Sequence, residues 1–180
     1  EEMLYKDLDY ARKAYEAFIK DLVKGGTTRA VIYSTVHRPA SKMLMEMLAE
    51  TNLVTYVGKV NMDRNCPEGL CEITEDSLVE TEKWLVESLN RYDNVKPIIT
   101  PRFVPSCSGA LLAGLGQLAA KYNVPVQSHL AENRMEVFWV MQLHPEVKSY
   151  SHLYRKYGLL GQTPSIMAHC IYCTESEMAL

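Results

Sequence analysis

The amino-acid sequence predicts an α/β fold built on parallel strands, and three observations carry that expectation. Strand-like and helix-like stretches alternate at least five times along the 180 residues with no break in composition. Short apolar runs end in a polar or ligand-type side chain, as in Val124-Pro-Val-Gln-Ser-His129 and Pro164-Ser-Ile-Met-Ala-His169. The stretches between them space apolar residues three and four apart, as helices do. Periodicity does not choose between a closed (β/α) barrel and an open, doubly wound sheet.

Residues 3–23 read as one long helix, with Leu4, Leu8, Ala11, Tyr15, Phe18 and Leu22 on a single apolar stripe. Lys24-Gly25-Gly26 closes it, because glycine tolerates the left-handed geometry of a helix end. Residues 27–35, with Val31, Ile32 and Tyr33, form the first strand. His37 follows its end and reads as a hydrogen-bonded loop histidine. Ser41 is expected to cap a helix carrying Leu44, Met47 and Leu48, which leads into a second strand over 54–60. The loop 61–72, with Asp63, Pro67 and Gly69, has the turn chemistry and length of a lid or rim segment, and Asp63 reads as a turn-stabilising acceptor. Thr74 is expected to cap a helix with Glu75 and Asp76 in its first turn and Leu78, Leu85 and Leu89 on one face.

The third strand covers 95–103 and is interrupted by Pro97 and Pro101, each of which removes a ladder donor; the second marks a bulge just before Arg102. Leu111, Leu115, Leu118 and Tyr122 place a helix over 108–122, with Gly114 and Gly116 permitting close packing. The fourth strand ends at His129. Helices are expected over 132–143, stopping before Pro145, and over 150–157; His144 and His152, near helix ends, read as solvated surface. The fifth strand, 165–168, ends at His169, and the last helix starts at Thr174.

Composition narrows the classes of function. With 47% hydrophobic and 23% charged residues, the chain can bury an ordinary core. A net charge of -3 leaves no footprint for nucleic acid, and Arg155-Lys156 is the densest basic cluster. No apolar run reaches the length of a membrane span, and the acidic start Glu-Glu-Met-Leu-Tyr-Lys-Asp is unlike a signal peptide, so a cytoplasmic protein is expected. Five cysteines without a regular framework argue against paired disulfides. Cys170-Ile-Tyr-Cys173 has no second pair to make a zinc ribbon, and Cys66 to Cys71 lacks the order of a cytidine-type zinc deaminase.

The chemistry concentrates at the strand ends. His129 and Glu132 lie at a strand-to-helix junction, which in a β/α barrel is the face where catalytic side chains collect. An imidazole there can bind a divalent metal while a nearby carboxylate moves protons to and from acidified water. His169 repeats the layout one βα unit later. The strand 95–103 ends instead in a cation, Arg102, and a ring, Phe103.

The runs Lys96-Pro-Ile-Ile-Thr-Pro-Arg-Phe-Val-Pro-Ser-Cys-Ser108, Gln127-Ser-His-Leu-Ala-Glu-Asn133, Met167-Ala-His-Cys170 and Tyr56-Val-Gly-Lys-Val-Asn-Met-Asp63 resemble the guanine deaminases of the amidohydrolase superfamily over essentially the whole chain. Ser-His-x-x-Glu is common to many amidohydrolases; Thr-Pro-Arg-Phe narrows the resemblance to guanine. The resemblance implies a partial (β/α)8 TIM-type barrel of about five βα units, in one incomplete domain over residues 1–180. A whole barrel needs about 250 residues, and the family's first-strand His-x-His and last-strand Asp do not occur here, so this stretch by itself is expected to be inactive. In the intact enzyme the resemblance implies zinc-dependent hydrolytic deamination of guanine to xanthine and ammonia, a step of purine catabolism. His129 and His169 would be zinc ligands, Glu132 the proton shuttle, and Arg102 and Phe103 the substrate-binding pair, with Arg102 donating to O6. A homodimer is also implied. Two alternatives stay open: another cyclic amidine deaminase or chlorohydrolase-type enzyme acting on a pterin or triazine ring, and a non-catalytic α/β binding module.

Overall fold

A computed structural model describes all of residues 1–180. They form two compact units, residues 1–60 with 79–98 and residues 61–78 with 99–180. Both are α/β, and the strands paired below run parallel. No helix is long and apolar enough to cross a membrane.

The first unit opens with a 3-10 turn at Glu2–Lys6 and α1 at Leu8–Lys24, where the sequence reads as a single helix. The break has a local cause. Asp7 adopts extended backbone geometry, and its carboxylate accepts from the N–H groups of Asp9 and Tyr10, the usual way to begin a helix. Strand β1 (Arg29–Tyr33) pairs with β2 (Val54–Gly58) in the register Arg29 to Val54, and β2 pairs with β4 (Val95–Pro97) from Thr55 to Val95. Helix α2 (Arg38–Ala49) buries Leu44, Met45 and Leu48, each worth about 1.5–3 kcal/mol on removal from water. Ser41 is not its cap. It lies inside α2, buried, and its hydroxyl donates to Thr35 O at 3.1 Å, while His37 holds the N-cap position with Pro39 following. Residues of the helix α3 (Thr74–Ser88) reinforce this unit: Arg38 spans Glu80 at 2.6 Å and Glu87 at 2.9 Å.

In the second unit, β6 (Val126–Leu130) pairs with β7 (Ser165–His169), with His129 opposite Ala168. The segment 99–102 runs along the other side of β6: Gln127 N–H donates to Ile99 O at 2.8 Å and His129 N–H to Arg102 O at 3.3 Å. The expected third strand is discontinuous, because Pro97 ends β4 and Pro101 ends β5 (Thr100–Pro101). Residues Val60–Asn61 form the short β3. Helix α4 (Gly109–Tyr122) starts at Ser108, whose hydroxyl accepts from Leu111 N–H, and stops at Asn123 in left-handed geometry. Helices α5 (Arg134–Leu143), α6 (Tyr150–Lys156) and α7 (Glu175–Met178) complete it. Thr174 and Glu177 make a capping box at the start of α7.

Several expectations about the second unit need correction. Cys66 and Cys71 are joined in a disulfide, since Pro67-Glu-Gly reverses the chain and brings their Cα atoms to 5.4 Å. The loop that carries them is fastened rather than free to act as a lid: Arg64 donates to the carbonyls of Val104 and Pro105, and Asn65 to Pro105. His144 is buried, not solvated. It accepts from Arg64 Nη2 at 3.2 Å and lies 3.4 Å from Glu146 at the turn that ends α5. His152 is half-buried and bonded to Ser149 Oγ. Asp63 behaves as an acceptor, as expected, but over a longer range than a turn: it takes hydrogen bonds from Ser108 N–H, Ser108 Oγ and Thr74 Oγ1 at 2.6, 2.6 and 2.7 Å. Thr74, the first residue of α3, therefore donates to Asp63 instead of standing before the helix as a free cap.

Candidate active site

The second unit brings the strand-end residues together. His129 is the next-to-last residue of β6 and His169 the last of β7, so the parallel register sets their side chains beside each other. The two imidazole rings lie 5.5 Å apart and within 24° of parallel. Glu132 closes the group, with its Oε2 at 3.6 Å from His169 Nε2.

Glu132 occupies a different place from the one expected. It precedes α5 instead of lying in its first turn, because Asn133 is the N-cap and accepts from Glu136 N–H at 2.9 Å. The carboxylate is therefore displayed on the short link between β6 and α5, exposed to solvent. Ala131 in this link has φ of 50°, and His169 and Cys170 have φ of 74° and 54°. Left-handed geometry is unfavourable for residues with a Cβ, and such conformations concentrate where the surrounding structure aims a functional group. Here the two strand ends hold each other in it: Cys170 N–H donates to Leu130 O at 2.8 Å and Tyr172 N–H to Ala131 O at 3.0 Å.

Arg102 contributes in two ways. Its main-chain carbonyl accepts from His129 Nδ1 at 2.7 Å. A carbonyl can only accept, so Nδ1 carries a proton, and in the neutral ring Nε2 is then the nitrogen open to a metal. Its side chain points outward, exposed, with Nη1 3.7 Å from Met62 Sδ. Phe103 meets Trp139 edge to face at 6.5 Å. These two rings, with Glu132, Asn133, Met135 and Glu136, line an open cleft of about 390 Å³.

Sequence reasoning missed Trp139 and Glu136. Trp139 looked like one more apolar residue of an amphipathic helix, although it is 40% exposed. Glu136 is only 6% exposed, and burial followed by the charge of Glu132 pushes its carboxyl above the usual range. The one signal for it was its place four residues after Glu132, where a helix-linked pair would share a side. Cys170 and Cys173 both carry free thiols.

The amidohydrolase family model matches residues 1–180. Guanine deaminase of Dictyostelium discoideum is 37% identical over 180 residues, a match that takes in 99% of this chain and 40% of that protein. Guanine deaminase of Escherichia coli is 37% identical over 177 residues, covering 98% of this chain and 40% of its own length. Among solved structures, guanine deaminase from C. acetobutylicum with bound guanine in the active site matches with a TM-score of 0.96 and 47% identity, over 99% of this chain and 42% of that one. The chain thus spans about two fifths of the length of the relatives it matches. On a family match that runs from the first residue to the last, this chain belongs to the amidohydrolase family.

Proposed function

We propose that the intact protein hydrolyses guanine to xanthine and ammonia at a zinc site to which this chain contributes His129 and His169. The observation that carries the reading is the convergence of two parallel imidazoles and one exposed carboxylate at adjacent strand ends, with His129 held in its metal-binding tautomer by Arg102 O. The guanine deaminases it resembles support the choice of substrate. Parallel register and strand–helix alternation support reading residues 1–180 as about five βα units of one (β/α) barrel domain.

The donor set fits the metal. Two neutral imidazoles suit zinc, and no cluster of three or more metal-binding side chains occurs in this chain, so His129 and His169 would be two members of a larger set. Zinc held there lowers the pKa of water toward 7 and makes a nucleophile available at neutral pH. Glu132 would carry one proton of the attacking water to ring nitrogen N3 and the second, from the hydroxyl then on C2, to the amino group that leaves as ammonia; its exposed position beside His169 suits a group that must reach both. Arg102 donates to O6, the atom at which adenine carries an amino group instead. Phe103, braced by Trp139, packs beside the purine.

Zinc content and ammonia release from guanine, measured together on the intact protein, test this. Stoichiometric zinc with turnover of guanine is expected. Zinc with turnover of a triazine or pterin and not guanine would move the assignment to another ring, and absence of both would remove the enzymatic reading.

A further inference from the structure

One hydroxyl behind the site takes no part in the chemistry above yet reaches the peptide of a ligand. We propose that Tyr154 of α6 is a positioning residue for His129, holding that peptide where the imidazole can meet a metal; the inference rests on the reading of His129 as a ligand.

Tyr154 is fully buried. Its hydroxyl donates to His129 O at 2.8 Å and lies 2.7 Å from Ser128 Oγ. Ser128 Oγ donates to Pro101 O at 2.7 Å, with Arg102 O at 3.3 Å. Arg102 O is in turn the acceptor for the His129 ring and for its N–H. The ring and backbone of His129 thus share one carbonyl acceptor, and the phenol hydrogen-bonds the carbonyl of the same residue.

A positioning group must itself be immobile, and α6 is anchored near both ends. A Cβ on Gly116 would run into the carbonyl of Tyr157, so the backbones of α4 and the residue after α6 approach closely. Ser151 donates through N–H and Oγ to Glu177 Oε1 at 3.2 Å, and Glu177 is held by the capping box of α7. Tyr150 stacks on Tyr154 at 5.6 Å and 12°. It supplies a comparison on the same helix, because its buried hydroxyl interacts with Glu136 and Tyr154 and makes no bond to the His129 peptide.

The experiment measures zinc affinity, by competition with a chelating dye, and the visible spectrum of the cobalt(II)-substituted form, on the intact protein and four variants. Groups that orient metal-binding histidines typically change metal affinity about 10- to 100-fold. Tyr154→Phe is expected to weaken zinc binding by about that factor and to alter the cobalt spectrum, with secondary structure kept. Tyr150→Phe, on the same helix and in the same stack, is expected to bind zinc as the wild type does. Equal weakening in both variants would make the effect one of helix packing and overturn the proposal. His129→Ala separates this inference from the functional reading. Zinc bound normally by His129→Ala sinks that reading, whereas zinc lost in His129→Ala but bound normally by a folded Tyr154→Phe sinks the proposal alone. Should Tyr154→Phe not fold, Ser128→Ala removes the other hydroxyl of the chain, and unchanged zinc affinity there overturns the proposal as well.

Discussion

Replacing Arg102 by alanine separates the choice of guanine from the chemistry of deamination. The local structure depends on the main chain of this residue: its N–H donates to Asn61 O at 3.1 Å and its carbonyl accepts from His129 Nδ1 at 2.7 Å. Alanine keeps both bonds. The side chain is exposed, with Met62 Sδ at 3.7 Å, and it supplies none of the atoms that hold His129, so zinc should stay bound. If the guanidinium donates to O6, the transition state loses one hydrogen bond to a charged donor, worth about 1.5–3 kcal/mol. That difference corresponds to a fall of about 10- to 150-fold in kcat/KM for guanine. Arg102→Lys should recover part of the loss, because one ammonium does not reproduce the planar fork. The assay is steady-state ammonia release from guanine with zinc content measured on the same samples. Turnover of Arg102→Ala within about twofold of wild type, at full zinc occupancy, would refute the O6 contact and move the substrate to another ring.

Glu132→Gln should retain zinc while kcat falls by about 100-fold or more, since the amide keeps the shape but cannot carry the proton; loss of zinc in this variant would instead make Glu132 a ligand. Asp63→Ala should lower stability to urea by about 2–3 kcal/mol, because the carboxylate collects the three hydrogen bonds from Ser108 and Thr74, and a change under about 0.5 kcal/mol would show them to be solvent-replaceable. Glu136 predicts a pH dependence. Its carboxyl is raised from an ordinary 4.5, chiefly by burial, so the folded state holds the proton more tightly than the unfolded one. A group shifted this way contributes nothing well below 4.5 and opposes folding increasingly as pH rises from there through its raised folded value. Glu136→Gln should therefore unfold at a higher temperature than wild type at pH 8 and lose that advantage at pH 4; an offset independent of pH would contradict the shift.

Much of this protein could be read from residue order because the signals involved are local. Alternation of apolar strands with amphipathic helices specified parallel α/β structure; β1 and β2 fall within the expected stretches, and β6 and β7 each run one residue past the expected end, to Leu130 and His169. The histidines were recognisable because each closes an apolar run, and β6 and β7 do end at or next to them. Helix starts were legible at Ser108 and Thr174, where the side chain bonds within its own turn. They were misread where it does not. Ser41 reaches back to Thr35 and Thr74 reaches to Asp63.

What only the tertiary structure decided depends on groups distant in sequence. The tautomer of His129 follows from a carbonyl 27 residues away. Burial of His144 follows from Arg64, 80 residues away. The parallel pairing of β6 with β7 sets the two imidazoles 5.5 Å apart, a distance that strand-end histidines alone do not imply. The Cys66–Cys71 bridge required the turn at Pro67 to bring two Cα atoms within reach, which a count of five cysteines does not reveal. The contact of Tyr154 with the His129 peptide was equally invisible, because a tyrosine on an apolar helix face gives no sign of where its hydroxyl ends. Residue order determines which groups a strand or helix presents, through periods of two and 3.6 residues. Which acceptor a donor meets across the core depends on packing, and packing joins residues without regard to their separation along the chain.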